Sequence, residues 1–206
     1  MDNQITFAHN PNDPVAESIL EVYNNLKNNF TTAFDPGFSF NFKEFESFSY
    51  NEITSFGPVI SVSRPFNSFY LIFVEVNYII SPGRYSSGIH TDFQVWGVLF
   101  LKNDYGHILI KPETLLDKIH DLINPSELNF EDDKEFSKKF YVVTNDKSKA
   151  ESRLSKDFRN QIKNISAKDF IIEIIGNKLI IGNKKTPHSK SAAEFAGFMN
   201  AIAAIF

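Results

Sequence analysis

The chain has 206 residues, 42% of them apolar and 22% charged, which suits one well-buried domain or two small ones. Lysine and arginine total 21 against 25 aspartate and glutamate residues, so the net charge of −4 excludes the overall basic excess of general DNA-binding proteins. The absence of cysteine excludes disulfides, cysteine-ligated metals and thiol nucleophiles, and it fits a reducing compartment. We therefore expect a cytoplasmic protein.

Aromatic residues are unusually frequent, with 22 phenylalanines, 7 tyrosines and 1 tryptophan making up 15% of the chain. Phenylalanine buries a large apolar area and has no polar atom to satisfy, so this composition favours a thick aromatic core. The alternative is that part of the aromatic set forms an exposed surface for a partner.

The first element is predicted from a helix start at Asp13-Pro14 and a turn at Asp35-Pro36-Gly37. Between them, apolar residues recur at three- and four-residue steps, which predicts an amphipathic helix over Pro14 to Thr31. The stripe consists of Val15, Ile19, Val22, Leu26 and Phe30. After the turn, Phe38, Phe40 and Phe42 alternate with polar residues, which is the period of a strand.

The middle of the chain, residues 52–113, has β-branched and aromatic runs separated by turns rich in glycine and proline. This spacing predicts strands connected by hairpins. Phe69 to Ile80 is apolar at every even position, which is typical of a strand with one buried face. Phe93 to Leu101 is apolar on both faces, so we expect it to lie in the interior of the sheet.

The last third alternates helical and strand patterns around an acidic link, Glu131-Asp132-Asp133, which we expect to be solvated. The predicted elements are a short helix from Thr114 to Ile123, a strand from Phe136 to Thr144, a helix from Asp146 to Ser166, a hairpin of Phe170–Ile175 and Lys178–Ile181 turned by Gly176-Asn177, and a final helix from Ser189. The stripe of the final helix comprises Phe195, Phe198, Met199, Ile202 and Ile205.

The order of elements, α-βββββ-α-β-α-ββ-α, predicts the fold class. Strands in contiguous runs favour an α+β fold with a mainly antiparallel sheet packed against amphipathic helices, rather than a doubly wound fold. We expect a single domain over residues 14–206. The alternative is two subdomains, 14–124 and 134–206, joined by the acidic link.

Signals for targeting and for membrane insertion are weak. The N-terminus has no basic start followed by an apolar run, and the most apolar stretches are shorter than the roughly 20 residues that cross a bilayer. We therefore expect no membrane span.

Motifs of catalysis are equally scarce, with no nucleophile elbow, phosphate-binding loop or dinucleotide-binding turn. His90 and Asp92 would lie on one side of a strand, but two ligands are too few for a metal site. We expect no metal and no cofactor. The alternative to a non-catalytic protein is an enzyme whose dispersed polar residues lie near His90, Asp92 and Tyr85.

One organised charge feature lies on the predicted helix after Asp146. Its apolar stripe, from Ala150 to Ile165, would orient four basic residues outward together. They are Lys149, Arg153, Lys156 and Lys163. Such a face is either solvated or a docking surface for an acidic protein, RNA or an anionic membrane.

Three segments resemble an uncharacterised bacterial family of unknown function. They are Phe93 to Phe100, Ile108 to Glu113, and Glu135 to Val142 followed by Ala150 to Leu154. The resemblance covers roughly residues 93–182 and implies a soluble domain that in other members often follows two transmembrane helices. It carries no known activity and no functional residues. The polar residues in the helix at Pro14 to Thr31 depart from that plan.

These observations together predict a soluble bacterial protein that works as a non-enzymatic interaction module. Its expected partner is a protein, with Lys149, Arg153, Lys156 and Lys163 as the candidate binding residues.

Overall fold

The computed structural model describes residues 14–49, 52–63, 67–80, 88–113 and 126–205. Its helices are α1 (Pro14–Asn29), α2 (Lys134–Lys139), α3 (Lys147–Arg153), α4 (Lys156–Lys163) and α5 (Ser189–Ile205). Its strands are β1 (Thr32–Phe34), β2 (Glu52–Val62), β3 (Phe69–Ile80), β4 (Gly88–Phe100), β5 (His107–Pro112), β6 (Ser126–Glu127), β7 (Phe140–Thr144), β8 (Ile171–Ile175) and β9 (Lys178–Gly182). Two short 3₁₀ helices cover Phe42–Glu44 and Glu46–Phe48.

The strands form one antiparallel sheet in the order β1-β2-β3-β4-β9-β8-β5-β7-β6. The predicted α+β class is therefore confirmed. The β8–β9 hairpin, turned at Gly176 with a φ of 60°, is inserted between β4 and β5. As predicted, β4 lies inside the sheet, between β3 and β9, and its residues 93–99 are buried.

Helical side chains from all five helices share one core on one face of the sheet. The predicted stripe of α1 packs there through Ile19, Val22 and Leu26, and α5 contributes Phe195 and Met199 among others. Amphipathic helices are held by this burial more than by their intrinsic propensity. No helix in the described part of the chain is long and apolar enough to cross a membrane.

The opposite face of the sheet is covered by residues 38–48, which we call the phenylalanine layer. The prediction that Phe38 to Phe42 form a strand is wrong, because this segment runs along the face of the sheet and then turns into the two 3₁₀ helices. Phe42, Phe45 and Phe48 are buried in a second core against side chains of β3, β4 and β9. The sheet residues are Ile72, Val74, Val76, Trp96, Val98 and Ile180.

Trp96 anchors this second core. Its ring lies 4.7 Å from that of Phe48, and its indole N–H donates to Gln94 Oε1 at 2.9 Å. The indole also covers Gly182 on the neighbouring strand, where a Cβ atom would come within 2.4 Å of the ring. Only glycine fits at this position, because neither the packed ring nor the paired backbone can give way.

The predicted elements of the last third need three corrections. The helix expected over Asp146 to Ser166 is two helices, because the chain breaks at Leu154 and Ser155 Oγ caps α4 through the Phe158 N–H. The strand expected from Phe136 begins at Phe140 and follows α2. In the final helix, Ile205 is 43% exposed and does not belong to the buried stripe. The helix predicted from Thr114 to Ile123 lies outside the described residues.

Phe195→Ala provides a test of how far α5 stabilises the fold. Phe195 is fully buried in the first core, so its truncation should lower the free energy of unfolding by about 3–5 kcal/mol. Ile205→Ala on the same helix is the matched control and should change it by less than about 0.5 kcal/mol. Urea denaturation followed by circular dichroism measures both, and equal effects of the two substitutions would show that α5 is not docked.

Candidate interaction site

An open groove of about 490 Å³ lies between the phenylalanine layer and β2. We call it the aromatic groove. One wall consists of Ser39, Phe40, Asn41, Phe42 and Lys43, and the other of Ile53 and Phe56. A concave apolar site with a few polar groups at its rim is typical of binding sites.

The first wall is positioned by local turns. Asp35 Oδ1 accepts the Gly37 N–H at 3.2 Å, which turns the chain out of β1, and Phe38 then stacks on Tyr70 with ring centroids 3.8 Å apart. Asn41 Oδ1 accepts the Lys43 N–H at 3.2 Å and starts the first 3₁₀ helix. These contacts fix Phe40 and Phe42 with their rings 4.9 Å apart at the floor of the groove.

The second wall depends on two irregularities in β2. In a regular strand, residues three positions apart point to opposite faces of the sheet. Register shifts against β3, between Ile53 and Ser55 and between Phe56 and Val59, each add one residue to β2. As a result Ile53 pairs with Val76 and Phe56 with Val74, and both partners belong to the second core. The bulges thus place Ile53 and Phe56 on the face that lines the groove.

Two exposed aromatic rings flank the phenylalanine layer. Phe56 is 57% exposed, with its ring 6.2 Å from that of Phe42. On the other side, Phe40 is 6.2 Å from Phe100, which is 37% exposed. Phe42, which lies between Phe56 and Phe40, is buried, so Phe56 and Phe100 form two separate exposed patches. The aromatic excess is therefore largely core, with a smaller part at the surface.

A buried carboxylate fixes the phenylalanine layer to the sheet. Glu173, in the middle of β8, is completely buried. Its Oε1 accepts the Glu46 N–H at 2.7 Å, while its Oε2 accepts the Ser47 N–H at 2.9 Å and the Ser47 hydroxyl at 2.7 Å. The carboxylate thus accepts from the first N–H groups of the second 3₁₀ helix, which have no partner within the helix.

His107 completes this arrangement. Its Nε2 lies 2.8 Å from Glu173 Oε1, and its side chain is 21% exposed. Neither His107 nor Glu173 was selected from the sequence as a candidate site residue. A signal was present, because a glutamate in the middle of the apolar run Ile171 to Ile175 has no place in a buried strand unless partners hold it.

The rim of the groove carries positive charge. Lys43 is exposed and forms no ion pair with any described residue. Its neighbour Glu44 is held by Lys178 and by the Asn41 amide. The hydrogen bond from Lys178 keeps the pKa of Glu44 below its ordinary value, so Glu44 stays charged and turned toward Lys178.

The predicted basic residues lie on two helices rather than one. Lys149 on α3 pairs with Asp104 at 3.1 Å, and Lys163 on α4 pairs with Asp133 at 3.2 Å. Arg153 is half-buried, and Lys156 is exposed. Since two of the four already have carboxylate partners within the chain, they are less available to an acidic ligand. A binding role for the four stays a prediction.

The acidic link is also different from its prediction. Asp133 is buried and caps α2, and Arg159, itself 3% exposed, donates to Asp132 at 2.5 Å and to Asp133 at 3.3 Å. The guanidinium also lies 4.2 Å from the ring centroid of Phe130. This cluster joins α4 to the turn before α2, so Asp133 is structural rather than solvated. Glu131 and Asp132 are exposed, as expected.

The residues of the alternative enzyme site lie partly outside the described region. Tyr85 and the side chain of His90 are among the residues that are not described, whereas Asp92 lies half-buried in β4 with its backbone opposite Val76. Over the described ranges, no three histidine, aspartate or glutamate side chains lie close enough together to hold a metal.

Comparison with known proteins gives one informative match. No protein-family model matches the chain, and no curated protein is significantly similar to it. Among solved structures, the mycobacterial trehalose monomycolate transport factor A, TtfA, matches with a TM-score of 0.55. The match covers 91% of this chain and 93% of TtfA at 7% sequence identity. The two proteins therefore share a fold.

Asp133→Asn tests the ionic cluster between α4 and α2. Burial raises the pKa of Asp133, but hydrogen bonds from Lys163, the Phe136 N–H and Arg159 outweigh it, so the pKa lies below its ordinary value. The carboxylate thus stabilises the fold above about pH 4, and this contribution disappears as the pH falls through the lowered pKa. We expect the substitution to lower the free energy of unfolding by about 3–5 kcal/mol at neutral pH. Urea titrations across the pH range should show the difference shrinking in acid; a constant difference would contradict the assignment.

Glu173→Gln tests the attachment of the phenylalanine layer. The new NH₂ group would face N–H donors in place of an acceptor oxygen, which should lower the free energy of unfolding by about 1–3 kcal/mol. Hydrogen exchange measured by mass spectrometry should accelerate at residues 42–49. Glu135→Gln, which removes an exposed carboxylate paired with Lys139, is the control and should leave that segment unchanged.

Proposed function

We propose that this protein is a non-enzymatic interaction module that binds a protein partner at the aromatic groove. The observation that carries the proposal is the exposed Phe56 ring beside a groove of about 490 Å³. A large aromatic side chain that is more than half exposed beside a groove gains further burial when a partner covers it, and buried aromatic residues dominate the energetics of protein interfaces.

Two further observations support a binding role. The walls of the groove are preformed, since one belongs to the segment that Glu173 attaches to the sheet and the other to β2, which is paired with β3. Preformed walls reduce the entropy that is lost when a ligand binds. TtfA, which is named as a transport factor, shares this fold, and that name supports an accessory role for the present chain.

The proposal also places the protein in the bacterial cytoplasm. The absence of cysteine supports a reducing compartment. The resemblance of residues 93–182 to a bacterial family of unknown function supports a bacterial source, and membership of that family is part of the proposal.

Site-specific crosslinking in the native cell tests the groove directly. We would place a photo-crosslinking phenylalanine analogue at position 56 and, as a matched control, at position 20. Leu20 is 46% exposed but belongs to α1, on the opposite side of the sheet. A discrete protein adduct at position 56 but not at position 20 is the expected result. A lipid adduct, or the same adducts at both positions, would refute the proposal.

A further inference from the structure

We infer that the aromatic groove takes an extended segment of a partner protein, which pairs with the open edge of β2 and inserts a bulky apolar side chain beside Phe56. This inference deepens the proposed function and rests on it. It specifies the conformation and the chemistry of the ligand: an apolar residue next to an acidic residue, in a strand.

The first argument is the unpaired edge. β1 covers only the end of β2, pairing with Ile60, Ser61 and Val62, and the Asp35 N–H reaches Val59 O at 3.0 Å. Along residues 53–57, the described part of the chain provides no strand on that side. A strand edge presents backbone N–H and C=O groups that pair readily with an extended chain.

The second argument is the position of the groove relative to this edge. Ile53 and Phe56 belong to the unpaired part of β2 and also form one wall of the groove. A strand added at this edge would project alternate side chains onto the face that carries the groove. Main-chain hydrogen bonds to β2 and an apolar ligand side chain in the groove would thus act together, and neither contact requires the protein to rearrange.

The third argument is charge. Lys43 lies at the rim with no carboxylate partner among the described residues, whereas the adjacent Glu44 is neutralised by Lys178. The described side chains of the rim therefore carry a net positive charge on a chain whose overall charge is −4. Complementarity favours a ligand with a carboxylate near its apolar residue, and it disfavours a basic ligand.

The experiment uses the intact protein and a displayed library of random linear peptides of about ten residues, the length of an ordinary strand. We expect the enriched peptides to share one bulky apolar residue with an acidic residue nearby. The affinity of synthetic copies of these peptides for the Phe56→Asp variant should be at least about tenfold lower than for the parent protein. Their affinity for the Leu20→Asp variant should equal that for the parent.

Backbone methylation of the peptide distinguishes strand pairing from side-chain docking. In an antiparallel pair, alternate N–H groups of the added strand point to the partner. N-methylation at every second position along one edge should therefore abolish binding, while methylation at the intervening positions should have little effect. Peptides that bind in the groove but tolerate methylation at every position would overturn the inference.

A charge exchange tests the role of Lys43. Lys43→Glu should weaken the binding of the acidic peptides about fivefold, which is the size expected for one exposed ion pair. Matching peptides with lysine in place of the acidic residue should bind this variant more tightly than they bind the parent protein. Absence of this reciprocal effect would overturn the acidic preference.

Two other results would overturn the inference, whereas the proposed function would still be judged by the crosslinking experiment alone. One is the failure of the library to yield any enriched peptide. The other is a concentration-dependent dimer of the parent protein that Phe56→Asp dissociates, since the occupant would then be a second copy of this chain.

Discussion

A sheet of nine strands has two large faces, and in this protein all five described helices pack on one of them. The other face must be kept from water by a segment of eleven residues, 38–48, that has room for no long helix. Such a short cover succeeds only if its apolar residues each bury a large area, and phenylalanine does this without bringing a polar atom with it. The high phenylalanine content of the chain is thus partly a consequence of the uneven distribution of its helices.

An irregular cover brings a second problem, because its backbone N–H groups are not all paired within it. Glu173 solves this problem from the sheet side by accepting from Glu46 and Ser47, and His107 occupies the remaining side of the same carboxylate. The carboxylate therefore determines where the layer sits on the sheet. The aromatic groove inherits that position, because Phe40 and Phe42 belong to the same segment. The position of the groove is in this way fixed by one buried carboxylate on a strand far away in sequence.

The parts of this fold that sequence patterns predict are those set by local periodicity. The stripe of α1, the two-faced apolar run of β4 and the Gly176-Asn177 hairpin all follow from neighbours in sequence. The phenylalanine layer was misassigned because an extended segment on a sheet has the same two-residue period as a strand inside it. The prediction of a single helix after Asp146 failed for a different reason. Ser155 caps a new helix and Arg159 donates to the Leu154 carbonyl, so the helix breaks although its apolar stripe stays buried throughout. The groove itself was beyond prediction, since it joins segments whose proximity depends on the register of β2 against β3.

The bulges of β2 have opposite consequences for association. Bulges and proline protect sheet edges from uncontrolled pairing, and β2 has two register shifts with Pro58 beside the second. β1 protects the far end of the strand. Among the described strands, only a short stretch around Ile53 to Phe56 has no neighbour on that side, and it is too short for main-chain hydrogen bonds alone to hold a partner strand firmly. Yet the same bulges turn Ile53 and Phe56 to the groove side. A ligand must therefore satisfy both the short edge and the apolar groove, and this double requirement favours a specific segment over any exposed strand.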